Sequence, residues 1–168
     1  KFDQAKGKYS LGREGGHTEN RIVHHKDITG FEIERALLET IRNSPNIEML
    51  PHHYVIDLIT QHHVPGKELD KGNIHGYGAY VLDAQNKKIK KITSKITLVA
   101  TGGAGHVYKN TTNPIIATGD GIAFVHRAQG KVSNMQYYQF HPTAMYSKRD
   151  GMLFLISEAV RGDGAKLR

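Results

Sequence analysis

The sequence contains no cysteine and no tryptophan, and it lacks any long apolar run. Without thiols, the chain can form neither a disulfide framework nor a thiolate metal site. No stretch approaches the roughly 18 apolar residues that suggest a membrane-spanning helix, and residues 1–30 lack the apolar core of a signal peptide. We therefore expect a cytoplasmic protein with no membrane partner.

The length of the chain is enough for one hydrophobic core, since it has 168 residues of which 38% are hydrophobic. It begins at Lys1 rather than Met and ends at Arg168 without a signal that stops a helix or a strand. We expect it to be a piece of a longer protein.

Positive charge is in excess, with a formal net charge of +7. Many of the lysines alternate with isoleucine around residues 87–95, which is typical of an exposed edge strand guarded against pairing with other chains. No aromatic platform or nucleic-acid motif accompanies them. The charge therefore predicts no nucleic-acid partner, and it suits a protein that handles small anionic ligands.

Histidine is abundant, with 11 residues that include three adjacent pairs, at 24–25, 52–53 and 62–63. Adjacent side chains on a strand point to opposite faces, so such pairs are poor bidentate ligands. Neither an H-E-x-x-H motif nor a Cys/His set is present. We expect no metal site.

Apolar periodicity predicts a mixed α/β fold. Thr29 and Glu32 have capping-box spacing and precede a helix over residues 30–43. Two later helices are predicted over residues 120–130, with Gly130 as the C′ residue, and over residues 152–161. Strands are predicted over residues 47–50 and 55–59, interrupted near Pro51, and over 78–82, 88–92 and 96–100, of which the last is buried.

Two glycine-rich stretches could bind a cofactor, but neither is decisive alone. Thr101-Gly102-Gly103 follows the last predicted strand, and its glycines suit a cofactor contact and a plain turn equally well. The second stretch is Thr-Gly-Asp-Gly at residues 118–121, in which Asp120 could contact a cofactor or stabilise the N-terminus of the helix that follows. No complete G-x-G-x-x-G or P-loop fingerprint is present.

Three motifs together are more specific than any one of them: residues 99–105, the run Gln-Phe-His-Pro-Thr-Ala at 139–144, and the run Ser-Glu-Ala-Val-Arg-Gly-Asp-Gly at 157–164. At these spacings the chain resembles, over essentially its whole length, the flavoprotein family of L-aspartate oxidase, succinate dehydrogenase and fumarate reductase. The resemblance implies FAD as cofactor in the full-length protein. It also implies cofactor contacts at Val55, Ala100, Thr101, Gly102, Gly103 and Asp120.

The same resemblance implies the domain organisation. Residues 1–133 would be part of a Rossmann-like FAD-binding domain with a β-meander, and residues 134–168 would start a substrate-capping domain. The N-terminal βαβ unit that carries the family's dinucleotide fingerprint is missing here, and so is the family's catalytic arginine. We expect the isolated segment to be inactive and to lack FAD.

The substrates of this family present two carboxylates, so the site needs fixed hydrogen-bond donors. The resemblance implies that His141 and Ser157 bind them and that Glu158 supports neighbouring donors. This chain has Ser157 where the family has Thr, and Asp163 where the family has Glu. Arg161 could clamp an anion or form a salt bridge, and the sequence leaves both readings open.

Glu14 distinguishes branches of the family. The run Arg-Glu-Gly-Gly-His-Thr at 13–18 resembles the Arg-Glu-Gly-Gly-His-Ser run of L-aspartate oxidases, whereas the dehydrogenases lack the Arg-Glu pair. A carboxylate near the substrate Cα attracts the ammonium of aspartate and repels a substrate that bears only carboxylates.

The function implied by this branch is oxidation of L-aspartate to iminoaspartate, with oxygen or fumarate as acceptor. That reaction supplies quinolinate and hence NAD biosynthesis, with quinolinate synthase as an expected partner. The alternatives are a succinate dehydrogenase or fumarate reductase flavoprotein subunit and a non-catalytic folding or interaction module.

Overall fold

A computed structural model describes residues 1–63, 65–66, 72–146 and 153–166. The chain divides into two compact units, which we describe separately. The first comprises Lys1–Met49, Pro142–Tyr146 and Phe154–Arg168, and the second comprises Leu50–His141 and Ser147–Leu153. The predicted boundary at residues 133/134 concerns the complete FAD-binding domain and stays a prediction.

The described residues form three α-helices and nine short strands, which confirms the predicted mixed α/β class. In chain order the elements are β1 (Gln4–Ala5), β2 (Lys8–Tyr9), β3 (Leu11–Gly12), β4 (Ile22–Val23), α1 (Thr29–Arg42), β5 (His53–Thr60), β6 (Gly76–Asp83), β7 (Lys88–Thr93), α2 (Asp120–Arg127), β8 (Ala144–Met145), β9 (Phe154–Leu155) and α3 (Glu158–Gly162), with short 3-10 turns at Gln61–His63 and Gly105–Val107.

The first unit contains three two-stranded antiparallel ribbons, β1–β2, β3–β4 and β8–β9, together with α1 and α3. The predicted first helix is confirmed within one residue at each end. Its apolar stripe is not covered by the described residues, since no residue of α1 is buried and Phe31 is 65% exposed.

The predicted capping box is wrong. Ile28 is the N-cap residue, and the Thr29 hydroxyl instead accepts a hydrogen bond from the His25 N–H at 3.0 Å. The Glu32 carboxylate turns along the helix to Arg35, 2.7 Å away. The hydrogen bonds from Arg35 lower the pKa of Glu32 to about 2.

The second unit is built on the antiparallel meander β5–β6–β7, as predicted. Val55 lies opposite Val81, and a bulge follows between Val55 and Asp57. Its core consists of buried apolar side chains from the sheet, from α2 and from the loop that precedes α2; these are Ile59, Ala79, Val81, Ala117 and Phe124. Apart from this small core, few large apolar side chains of the described residues are buried.

An arginine fastens α2 to β5. The Arg127 Nε donates to Asp57 Oδ2 at 3.0 Å, and its Nη2 donates to the Ile56 carbonyl at 2.9 Å. This places the C-terminal end of α2 beside the bulged part of β5.

Two predicted strands are not formed. Residues 47–50 precede a turn and pair with no strand, and residues 96–100 run without a ladder partner among the described residues. The prediction that the latter are buried is also wrong, because Ile96 and Leu98 are each 87% exposed. An apolar run is a strand only where a neighbouring strand takes up its backbone N–H and C=O groups.

The ends of the later helices also differ from prediction. Helix α2 ends in a Schellman arrangement in which Gly130 N–H donates to the Val125 carbonyl and Gln129 N–H to the His126 carbonyl. Gln129, with φ 61°, therefore takes the left-handed C′ position instead of Gly130. The predicted helix over 152–161 is reduced to α3, since Phe154–Leu155 pair with β8; Met152 lies outside the described residues.

None of the helices that the structure describes is long and apolar enough to cross a membrane. The described residues likewise contain no group of three His, Asp or Glu side chains that could hold a metal ion.

Candidate functional site

Within the second unit, the turn after residue 100 meets the start of α2. The Gly119 N–H donates to the Gly103 carbonyl at 3.2 Å. Gly119 has φ 76°, a left-handed conformation that favours glycine, and it directly precedes Asp120. The fold thus brings the turn of residues 101–103 next to Asp120, although residues 104–119 separate them in the sequence.

This junction borders a pocket of about 440 Å³. It is lined by Val99, Ala100, Thr101, Gly102, Gly121, Ile122, Val125, Lys131, Val132, Ser133 and Met135. Side chains built on Gly102 and Gly103 would meet no atom within 4 Å, so the turn's backbone is open to a ligand. That openness fits a cofactor whose pyrophosphate approaches the main chain.

Asp120 does not cap its helix. Gly119 is the N-cap residue of α2, and the Asp120 carboxylate accepts a hydrogen bond from the Thr118 hydroxyl at 2.9 Å. The carboxylate is exposed and has further oxygen lone pairs for a ligand such as a ribose hydroxyl. Val55 lies on β5 of the same unit and is 37% exposed.

Within the first unit, the loop of residues 13–17, here called the Glu14 loop, is joined to α3. The Gly15 N–H donates to the Glu158 carbonyl oxygen at 3.1 Å, and the His17 N–H donates to the Glu14 carbonyl oxygen at 3.1 Å. The side chain of Glu14 is exposed, and its carboxylate forms no hydrogen bond or ion pair with the described residues. Glu14 is therefore placed by its backbone, with its charge available.

The Glu158 carboxylate lies at the centre of a small polar cluster. Arg161 Nη1 donates to Glu158 Oε2 at 2.9 Å, and the Thr143 hydroxyl lies 3.4 Å from Oε1. Arg161 thus acts as a salt-bridge partner here, the second of the two roles that the sequence left open.

Ser157 is the N-cap residue of α3, where its Oγ accepts a hydrogen bond from the Ala159 N–H at 3.3 Å. An accepting hydroxyl can still donate its own proton, so the cap does not prevent Ser157 from binding a carboxylate. His141 is half-buried and belongs to the second unit.

Two residues of this region were not singled out by the sequence. Thr143 is 5% exposed and contacts Glu158; its signal was its place in the Gln-Phe-His-Pro-Thr run. His17 has a buried Nδ1 with no hydrogen-bond partner among the described residues. Its signal was the Gly-Gly-His run, which places it two residues beyond Gly15 in the Glu14 loop.

The family model described as "FAD binding domain" matches residues 1–168. The chloroplastic L-aspartate oxidase of Oryza sativa subsp. japonica is 50% identical over 175 residues, covering 99% of this chain and 26% of the rice protein. The L-aspartate oxidase of Vibrio cholerae serotype O1 is 42% identical over 161 residues, covering 96% of this chain and 29% of that protein.

A solved structure of an Escherichia coli quinol fumarate reductase FrdA variant has a TM-score of 0.81 and 28% identity, covering 97% of this chain and 26% of that one. The chain spans only 26% of the length of the rice relative and of this structure. Because the family model matches the chain from its first residue to its last, the chain belongs to the FAD binding domain family, as a segment of a flavoprotein related to the L-aspartate oxidases.

Proposed function

We propose that the full-length protein is an L-aspartate oxidase, and that this chain supplies part of its FAD site and part of its substrate site. The observation that carries the proposal is the junction of the Glu14 loop with α3. There an unpaired carboxylate, Glu14, lies on a loop bonded directly to the helix that bears Glu158 and follows Ser157. The identity of 50% to the rice L-aspartate oxidase along nearly the whole chain supports it.

The two carboxylates of the substrate would be held by neutral or cationic donors. The Ser157 hydroxyl and the His141 ring are the donors that we assign to them. Glu158 would not touch the substrate, because its carboxylate would repel a dianion; it would orient Arg161 and Thr143, to which it is bonded.

The substrate ammonium would be bound by Glu14. A carboxylate without a protein partner gains a charge-assisted hydrogen bond when an ammonium arrives, and it repels a ligand that offers only carboxylates. Glu14 therefore favours aspartate over succinate, whose Cα carries no nitrogen.

FAD would be held by the open backbone of residues 100–103 and by Asp120, with Val55 contributing a backbone contact. When bound, FAD supplies a two-electron acceptor for the hydride that leaves the substrate Cα. The ammonium would give one proton to solvent, and the nitrogen lone pair would then form the C=N bond as the hydride leaves Cα, so that L-aspartate gives iminoaspartate. Glu14 holds the ammonium while the carboxylate ligands fix the direction of the Cα–H bond.

The electron acceptor and the pathway belong to the same proposal. Oxygen or fumarate would remove the electrons, and the imine would enter quinolinate and NAD synthesis, with quinolinate synthase as the partner that consumes it. A cytoplasmic location stays a prediction, and the rice relative is named chloroplastic.

A fumarate reductase or succinate dehydrogenase flavoprotein is the second candidate, favoured by the TM-score of 0.81 to the FrdA structure. The test is to assay the purified full-length protein for aspartate-dependent peroxide release and for succinate-dependent dye reduction. Turnover of aspartate without succinate oxidation supports the oxidase. The reverse pattern supports the second candidate. The absence of both activities would favour a non-catalytic module.

A further inference from the structure

We infer that Arg13 is a positioning residue that holds the Glu14 loop against α3 and thereby sets the preference for a substrate bearing an ammonium group. The inference deepens the proposed function and rests on it for the identity of the substrate. The Arg13 side chain is bonded to the protein itself, and we assign it no contact with the substrate.

The guanidinium of Arg13 is engaged at the end of α3. Its Nε donates to the Gly162 carbonyl oxygen at 3.0 Å, and its Nη2 donates to the same oxygen at 2.7 Å. The last carbonyls of a helix lack partners inside the helix and carry partial negative charge, so a cation with two converging N–H groups suits them. A lysine has no such planar fork and would hold this carbonyl with a single rotatable ammonium.

Two glycines allow the loop and the helix to approach this closely. A Cβ on Gly162 would overlap the carbonyl oxygen of Arg13 and lie 3.1 Å from the Glu14 Cα. A Cβ on Gly15 would lie 2.7 Å from Glu158 Oε2 and 3.1 Å from the Arg161 Cβ. Gly162 therefore requires the absence of a side chain, because its Cβ would meet backbone, whereas a side chain at Gly15 would require the Glu158 carboxylate to move away.

Glu14 is consequently fixed from both sides. The residue before it is tied to Gly162, and the N–H of the residue after it is tied to the Glu158 carbonyl oxygen. Its own carboxylate has no partner among the described residues. Where that charge lies is decided by Arg13 and Gly15, which never need to contact the ligand.

The competing interpretation is that Arg13 binds a substrate carboxylate directly. The two interpretations differ in what they predict for a dicarboxylate without an ammonium. If Arg13 is a positioning residue, its substitution lowers the catalytic efficiency with aspartate alone. If Arg13 binds a carboxylate directly, its substitution weakens the binding of both aspartate and succinate.

The experiment uses the full-length FAD-loaded enzyme with Arg13→Lys, and Arg21→Lys as the matched control. Arg21 is an exposed residue near the same loop whose side chain forms no hydrogen bond or ion pair with the described residues. The kcat/KM for L-aspartate and the inhibition constant of succinate are measured. For Arg13→Lys, we expect kcat/KM to fall on the order of tenfold, as for loss of one charge-assisted hydrogen bond, while the succinate constant stays within about twofold. For Arg21→Lys, neither quantity should change by more than about twofold.

A second measurement reports on the loop itself without any substrate. Hydrogen exchange at the Gly15 amide should be faster in Arg13→Lys than in Arg21→Lys, because the loop opens more often. Gly162→Ala should also show faster exchange at the Gly15 amide and a lower kcat/KM for L-aspartate. The unfolding temperature of this variant shows whether the protein remains folded.

Parallel losses for aspartate and succinate would overturn the positioning role in favour of direct binding, and unchanged exchange at Gly15 would show that Arg13 does not hold the loop. A wild-type enzyme that does not oxidise aspartate would instead refute the proposed function. Since the exchange measurement needs no turnover, the two failures are distinguishable.

Discussion

Gly121 and Thr101 approach so closely that a Cβ on Gly121 would overlap the Thr101 hydroxyl. The first turn of α2 therefore packs directly on the open turn of residues 101–103. Because Asp120 and Gly121 are adjacent, this contact also decides where the Asp120 carboxylate lies relative to that turn.

Gly121→Ala should damage this junction. Overpacking at such a contact costs about 1–3 kcal/mol of unfolding free energy, and the displaced turn should lower the FAD content of the purified full-length protein. Gly30→Ala is the matched control, because a Cβ there meets no atom within 4 Å and the residue lies in α1. The control should be neutral or stabilising by up to about 1 kcal/mol, since alanine favours helix. Equal FAD content in the two variants would show that this junction does not contribute to FAD binding.

Glu14→Gln should reduce aspartate oxidation selectively. The change removes the charge at nearly constant shape, and a hydrogen bond to a charged group contributes about 1.5–3 kcal/mol. The kcat/KM for L-aspartate should therefore fall on the order of 10- to 150-fold. Fumarate reduction by the same variant, measured with a reduced dye, should be far less affected because fumarate has no ammonium.

His141→Ala provides the contrast. We assign His141 to a substrate carboxylate, which aspartate and fumarate share, so both reactions should lose activity. If Glu14→Gln also slowed both reactions equally, Glu14 would only support its loop, and the preference for aspartate would need another explanation.

The segment of 168 residues, expressed alone, should bind FAD poorly and show no aspartate turnover. Ile96 and Leu98 are each 87% exposed beside the proposed cofactor turn, so that turn lacks the strand packing that would fix it. The check is the absorbance band of oxidised flavin after purification with added FAD. A strongly yellow, active segment would contradict the prediction.

Asp83→Asn should weaken the β6–β7 turn in a pH-dependent way. Asp83 is 1% exposed, and hydrogen bonds from Asn86 together with the ion pair to Lys90 at 2.8 Å hold the pKa of its carboxyl below the usual range. A carboxyl whose pKa is lower in the folded state than in the unfolded state stabilises the protein at pH values above its unfolded pKa. This stabilisation is lost as the pH falls from the unfolded pKa towards the folded pKa. The unfolding temperature of the variant should therefore lie below that of the wild type at pH 7, with the difference narrowing below about pH 4.

Asp27→Asn is the control for that series, since Asp27 is exposed and has no ion pair or hydrogen bond through its side chain with the described residues. Its unfolding temperature should follow the wild type at every pH. A difference at Asp83 that stays constant down to pH 3 would mean that packing, and not the carboxylate charge, stabilises the turn.

The sequence by itself determined the local elements and the family. Helical spacing predicted α1 within one residue at each end, and alternation with turn residues predicted strands at the positions of β5, β6 and β7, whose meander the family resemblance implied. The helix depends on contacts between near neighbours in the chain, and each strand alternates between two faces, so periodicity records both directly. The motifs around Glu14, Thr101 and Ser157 likewise identified the flavoprotein family that the comparisons show.

Only the tertiary structure decided what those motifs touch. It assigned Arg13 to the Gly162 carbonyl and Gly119 to the Gly103 carbonyl, over separations that no spacing rule covers. It also paired Arg161 with Glu158, which is one of the two roles that the sequence left open. It also showed that residues 96–100 form no strand within the described part of the chain. A strand depends on a partner for its hydrogen bonds, and a close backbone approach depends on the shape of both surfaces, so neither is written in the residues of one segment alone.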